Sequence, residues 1–190
     1  MAKQFPSIEP AHRAFIERQR VFFVASAAPG ARVNLSPKGL DALRVLGPER
    51  VAYLDLTGSG NETAAHLRAD GRLTIMFCAF EGPPLILRLY GRGRAHRRGS
   101  AGYAGLLPAF GGEEPLGVRQ IVALEVDLVQ TSCGYGVPLF AYKGERQSLN
   151  RWAEAKGEAG LEAYRREKNA RSIVGLSTGL LEGDDEAVAL

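Results

Sequence analysis

The feature that most limits how this chain can fold is a series of six short apolar runs separated by turn signals. The runs are rich in β-branched and aromatic residues and cover residues 21–26, 32–38, 51–57, 72–80, 85–95 and 120–131. Few helical patterns interrupt them. A doubly wound parallel sheet needs a helix between nearly every strand pair, so that class is excluded. An antiparallel sheet closed or partly closed into a barrel is the expected solution, because closure removes exposed edges.

Three stretches carry a helical pattern. Residues 11–19 follow Pro10 and bury Phe15 and Ile16. A second helix is expected to open at Ser59-Gly60-Asn61-Glu62-Thr63 and run through Leu67, with Ser59 and Glu62 at capping-box spacing. The third lies beyond Ser148, where Leu149, Trp152, Ala153, Leu161 and Tyr164 form an apolar stripe broken near Gly157 and Gly160. The Gly-rich segment 99–117 reads as a loop with one helical turn, and the acidic tail 182–190 as frayed.

A chain of 190 residues suits one domain. Residues 1–147 are expected to form the barrel and 148–190 its helical extension. A net charge of +3 suits a phosphorylated ligand and is too dispersed for nucleic acid. Cys78 and Cys133 form no paired metal motif, and the scattered His12, His66 and His96 add none, so no metal site is expected. Met1-Ala2-Lys3-Gln4-Phe5 lacks the apolar core of a signal peptide, and no run approaches a membrane span. The expectation is a cytoplasmic protein with no membrane partner.

Two constellations could carry chemistry. At the junction Thr57-Gly58-Ser59-Gly60-Asn61-Glu62-Thr63, hydroxyls, close-approach glycines and the free N–H groups of a helix start make a phosphate cradle. It is neither a Walker loop nor a dinucleotide fingerprint. On the run 32–38, Val33 and Leu35 alternate with Asn34, Ser36 and Lys38. Three polar residues at that period usually face solvent, but Pro37 marks an edge or bulge, which suits a ligand rim. Arg88 sits among Leu85, Ile86, Leu87 and Leu89 and needs a partner, for which an anion would serve. Cys133 has no histidine at nucleophile-activating spacing and reads as part of a turn.

In order and spacing, several segments resemble the pyridoxamine 5′-phosphate oxidase-like, FMN-binding split-barrel family. They are Phe22-Phe23-Val24-Ala25-Ser26, Val33-Asn34-Leu35-Ser36-Pro37-Lys38-Gly39, Ala52-Tyr53-Leu54-Asp55-Leu56-Thr57 with the junction after it through Leu67, Met76-Phe77-Cys78-Ala79-Phe80, Leu87-Arg88-Leu89-Tyr90-Gly91 and Ser132-Cys133-Gly134-Tyr135-Gly136-Val137-Pro138. The resemblance implies a mainly β, six-stranded antiparallel split barrel and a homodimer with FMN between its subunits. Thr57, Asn61 and Thr63 would hold the phosphate; Asn34, Ser36 and Lys38 would hold the ring, with Arg88 nearby. Some members of that family bind a deazaflavin or haem instead.

The resemblance departs in two places. Glu62 and Thr63 stand where the oxidase has a basic pair, and its terminal Arg-x-His substrate motif beside a Trp-rich strand has no counterpart in the tail beyond Ser148. The implied function is an FMN-dependent oxidoreductase acting on an unidentified small molecule. The alternative is a non-catalytic flavin- or ligand-binding module. No residue is compelled as catalytic acid or base, and Lys38 is the cation best placed to stabilise reduced flavin.

Overall fold

The computed structural model describes residues 2–182; the tail expected to fray lies outside these from residue 183 on. Eight strands form one antiparallel sheet: β1 (Lys3–Phe5), β2 (Phe22–Ser26), β3 (Asn34–Lys38), β4 (Leu43–Gly47), β5 (Arg50–Leu56), β6 (Arg72–Cys78), β7 (Ile86–Arg97) and β8 (Val118–Ser132). Their order is β3-β2-β6-β7-β8-β5-β4, with β1 added on β8. The six expected strands are present, and β1 and β4 are additions.

The sheet curls because one apolar face must leave water. Val24, Ile75, Leu89, Val129, Leu124, Val51 and Val45, from six different strands, share one buried cluster. Phe22 meets Tyr53 edge-on across this core, with ring centroids 5.6 Å apart. Each fully buried side chain of this size contributes about 1.5–3 kcal/mol. The long strands β7 and β8 bend at a bulge between Tyr90 and Gly91. A Cβ on Gly91 would lie 1.9 Å from the Glu125 carbonyl oxygen, so the bend requires glycine.

Helix α1 (Pro10–Arg18) starts with proline in its first turn and buries Phe15 and Ile16. His12 is consumed by its start, where the ring Nδ1 accepts from the Glu9 N–H at 3.1 Å. Helix α2 (Glu62–Ala69) follows β5. Its start corrects the expected capping box. Asn61 precedes the helix without a side-chain cap, and the Glu62 carboxylate accepts instead from the Ile173 N–H at 2.9 Å.

Helix α3 (Ala101–Leu106) and the 3-10 turn Leu107–Phe110 cover the outer face of β5 and β8 in a second apolar cluster with Ala52, Ile121 and Ala123. Helix α4 (Ser148–Lys168) kinks at Gly157, which adopts φ 63° and ψ 173°. Beyond the kink Leu161 is fully buried and Arg165 nearly so, which seats the helix on its own barrel beside the β5–α2 junction. No helix among the described residues is long and apolar enough to cross a membrane.

Candidate functional site

Strand β3 carries its polar residues inward. Ser36 pairs with Val24, which pairs with Ile75, so Asn34, Ser36 and Lys38 share the face of the barrel core. They are half-buried, whereas Val33 and Leu35 are 77% and 62% exposed. Alternation alone left the direction open, and the usual reading of such a strand is the reverse of what is found.

Two hydrogen-bonded groups gather around β3, one reaching α2 and the other β5 and β8. In the first, Asn34 Nδ2 donates to Thr63 Oγ1 at 3.0 Å and to Ser26 Oγ at 3.3 Å, while Ser36 Oγ donates to Asn34 Oδ1 at 3.4 Å. Because Ser26 accepts from Asn34, its own proton is free for His66 Nδ1, 3.1 Å away. His66 is fully buried, and its Nε2 has no partner among the described residues. The rim on β3 is thus tied to α2 through Thr63.

In the second group, Lys38 Nζ lies 2.6 Å from Asp55 Oδ1 on β5. Asp55 Oδ2 accepts from Arg119 Nε at 2.9 Å and from Gln120 Nε2 at 2.7 Å. Both reach one oxygen because of a bulge: Asp55 pairs with Gln120 and Leu56 with Val118, which leaves Arg119 as the extra residue. Burial alone would raise the Asp55 pKa. The Arg119 guanidinium, then Lys38, more than reverse this and hold the carboxyl well below the usual range. Burial, with Asp55 adding, raises the neighbouring Tyr53 phenol well above its ordinary pKa.

The junction residues have internal partners. Thr57 Oγ1 donates to the Gly117 carbonyl and accepts from Arg165 Nε, both at 2.8 Å. Asn61 Oδ1 accepts from Gln120 Nε2 at 2.8 Å, and its Nδ2 donates to the Asn169 carbonyl at 3.4 Å. Thr57 and Asn61 are each 1% exposed and Thr63 8%. By contrast, the backbone N–H groups of Glu62, Thr63 and Ala64 take no acceptor among the described residues.

The structure therefore brings Asn34, Ser36 and Thr63 together in the first group and joins Lys38 to Asn61 in the second through Asp55 and Gln120, while Thr57 bonds to Gly117 and Arg165. It does not bring Arg88 to this group. Arg88 pairs with Met76 and Gln130 on the opposite face of the sheet, and its NH1 donates to Ser132 Oγ at 3.3 Å.

Sequence reasoning missed Asp55, Arg119, Gln120, Arg165 and Asn169. Asp55 carried a signal, since an aspartate at a core-facing position of an apolar strand requires buried partners. Cys133 is exposed, and the backbone N–H of Tyr135 lowers its thiol pKa, whereas burial raises that of Cys78.

A single antiparallel sheet curled around one core, with α2 packed on β2, β6 and β7, defines the split-barrel class. The sequence pattern of pyridoxamine 5′-phosphate oxidase matches residues 8–133. A pyridoxamine 5′-phosphate oxidase family protein, ustO, of Aspergillus flavus is 38% identical over 188 residues, spanning 90% of this chain and 76% of that one. Among solved structures, HupZ of Group A Streptococcus aligns with a TM-score of 0.53 at 19% identity, over 66% of this chain and 99% of its own. A pyridoxamine 5′-phosphate oxidase-like protein of Lactobacillus delbrueckii aligns with a TM-score of 0.52 at 13% identity, over 66% and 94%. The chain belongs to the pyridoxamine 5′-phosphate oxidase family.

Proposed function

We propose that the protein binds flavin mononucleotide as an oxidoreductase of a small-molecule substrate, and does so as a homodimer. The observation that carries this reading is the union of a free-amide helix start with a half-buried polar rim. The first-turn N–H groups of α2 are donors without acceptors, and Thr63 joins them to Asn34 and Ser36.

Family membership makes FMN the group to test against this donor set, and the set fits its chemistry. The amides of Glu62 to Ala64 and the Thr63 hydroxyl suit a phosphate. Asn34 and Ser36 offer donors and acceptors of the kind a pyrimidine edge requires. Lys38 adds positive charge at the rim, moderated by its pairing with Asp55. Thr57 and Asn61, with their side chains committed inside the protein, shape the junction. FMN when bound supplies the redox chemistry itself. The chain's part is to fix the ring, exclude water from it and hold charge beside it.

Two observations support the dimer. Val33, Leu35, Leu139 and Phe140 are more than half exposed, as expected of a surface meeting a second copy. Arg88, facing away from the rim of its own chain, would share a ligand with Asn34, Ser36 and Lys38 only across such an interface.

The test is the visible absorption spectrum of the purified protein, followed by titration with FMN. Flavin bands that shift, with quenched fluorescence, support the reading. An unperturbed free-flavin spectrum at high protein concentration rejects it. Turnover of a reduced nicotinamide or oxygen by the loaded protein separates an enzyme from a binding module.

A further inference from the structure

The segment from Arg165 to Thr178 lies beyond the matched residues 8–133, yet it bonds to the β5–α2 junction at Thr57, Gly58, Asn61 and Glu62. Arg165 Nε donates to Thr57 Oγ1 at 2.8 Å, and its NH2 donates to the Val118 carbonyl at 3.2 Å. Asn169 Nδ2 donates to the Gly58 carbonyl at 3.0 Å, and the Asn169 carbonyl accepts from Asn61 at 3.4 Å. The Ile173 N–H donates to Glu62 at 2.9 Å. Thr57, Gly58, Asn61 and Glu62 are thus each held by this segment. Asn169, wholly buried, is fixed in turn: Arg119 NH1 donates to its Oδ1 and Thr178 Oγ1 to its carbonyl, both at 2.8 Å.

These contacts use the side chains and one carbonyl of the junction. They leave the α2 amides unused. With Thr57, Gly58, Asn61 and Glu62 already tied to the C-terminal segment, the junction needs no further ordering to offer its free amides, which is preorganisation of an anion cradle. The charges of the cluster act in the same sense. Arg119, Arg165 and Lys38 have side-chain exposures of 4%, 10% and 24%, and the one deeply buried carboxylate among them is Asp55 at 3%. The remaining carboxylates, Glu158 at 53% and the half-buried Glu62, stand at the solvent edge, where their charge is screened.

We infer that Arg165 and Asn169 are positioning residues that hold the junction as a phosphate cradle, so that the C-terminal segment, outside the barrel, sets the preference for a phosphorylated ligand over its uncharged counterpart. This rests on the flavin reading above but concerns different residues. The A. flavus relative aligns over 90% of this chain, a span that necessarily runs into α4, so the segment is not private to this sequence.

The experiment measures the affinities of FMN, riboflavin and inorganic phosphate for the 190-residue chain and its Arg165→Met, Arg165→Lys and Asn169→Ala variants. Fluorescence quenching reads the flavins, and a phosphate-dependent shift in melting temperature reads the anion. Circular dichroism and melting identify any variant that fails to fold, and Arg165→Lys keeps the charge with less disturbance.

The expected result is a wild-type preference for FMN over riboflavin that falls at least tenfold in Arg165→Met and Asn169→Ala and recovers partly in Arg165→Lys, with riboflavin affinity nearly unchanged. A preference for FMN untouched in folded variants overturns the inference and leaves the flavin reading standing. Binding of phosphate that depends on Arg165, without binding of either flavin, upholds the cradle and removes the flavin reading. Wild-type protein that responds to neither phosphate nor flavin overturns both.

Discussion

Arg119 Nε meets Asp55 Oδ2 at 2.9 Å from the adjacent strand, with side-chain exposures of 4% and 3%. The pair exists because a bulge inserts Arg119 between Gln120 and Val118, turning a residue of outward parity toward the barrel interior. Asp55 is thereby the anion on which the cations of two further elements, Lys38 and Arg119, converge.

Replacing Asp55 by alanine leaves both cations in place without their common partner. Breaking a buried pair from one side costs about 3–5 kcal/mol, far above the near-neutral effect of removing an exposed one. Asp55→Ala should shift the urea midpoint accordingly, whereas Glu17→Ala, which removes the exposed Arg13–Glu17 pair, should leave it within about 0.5 kcal/mol of wild type.

The same carboxyl sets a pH dependence. Its folded pKa lies below the unfolded value of about 3.9, so the folded state favours the ionised form. The stabilisation is fully present above that value and is lost as pH falls below it toward the folded pKa. Urea unfolding between pH 6 and 2.5 should show stability dropping in the acid limb. Asp55→Asn should flatten that limb; a limb of unchanged slope in the variant would assign it to other carboxylates.

The exposed pair Val33 and Leu35 should govern assembly. Light scattering at micromolar concentration should give about twice the 20.5 kDa chain mass. Val33→Asp combined with Leu35→Asp should return the single-chain mass and weaken FMN together with it. A variant that is monomeric yet binds FMN as wild type would place the ligand within one chain.

The two thiols should differ in reactivity. Cys133 is exposed and its pKa is lowered by the Tyr135 N–H, whereas Cys78 is buried with its pKa raised. An aromatic disulfide reagent should label one thiol per native chain at neutral pH and two in denaturant. Cys133→Ser should abolish the native reaction.

The strands were legible wherever a β-branched run was long enough to declare its period, as in β5 and β6. Strand β4 was not: Leu43–Gly47 is five residues interrupted by Arg44 and closed by Gly47-Pro48, and it reads as loop without its partner β5. On β3 the alternation was plain, but its direction is fixed by what lies on each side. Val33 and Leu35 face outward while Asn34, Ser36 and Lys38 find Thr63, Asp55 and one another. The Ser59–Glu62 spacing signalled a cap, yet Ile173, far along the chain, claims the carboxylate. Arg119 and Gln120 are masked by the apolar run around them, and only the bulge gives them a common target. Arg165 and Asn169 have no local pattern linking them to Thr57 and Asn61.

The bonds from Asn169 to Asn61 and to Gly58 join residues 108 and 111 positions apart. A chain emerging from the ribosome can pair β2 with β3 and β4 with β5 early, since those are local hairpins. The junction receives its last partners only once the chain has been extended past Ile173. Contacts of such long sequence separation form late and slow the search. Until then Asp55, Arg119 and Gln120 form an incomplete polar core. The β5–α2 junction is therefore expected to complete its packing after the barrel strands have paired, and chains truncated before α4 should be more open to proteolysis at the β5–α2 turn than the 190-residue chain.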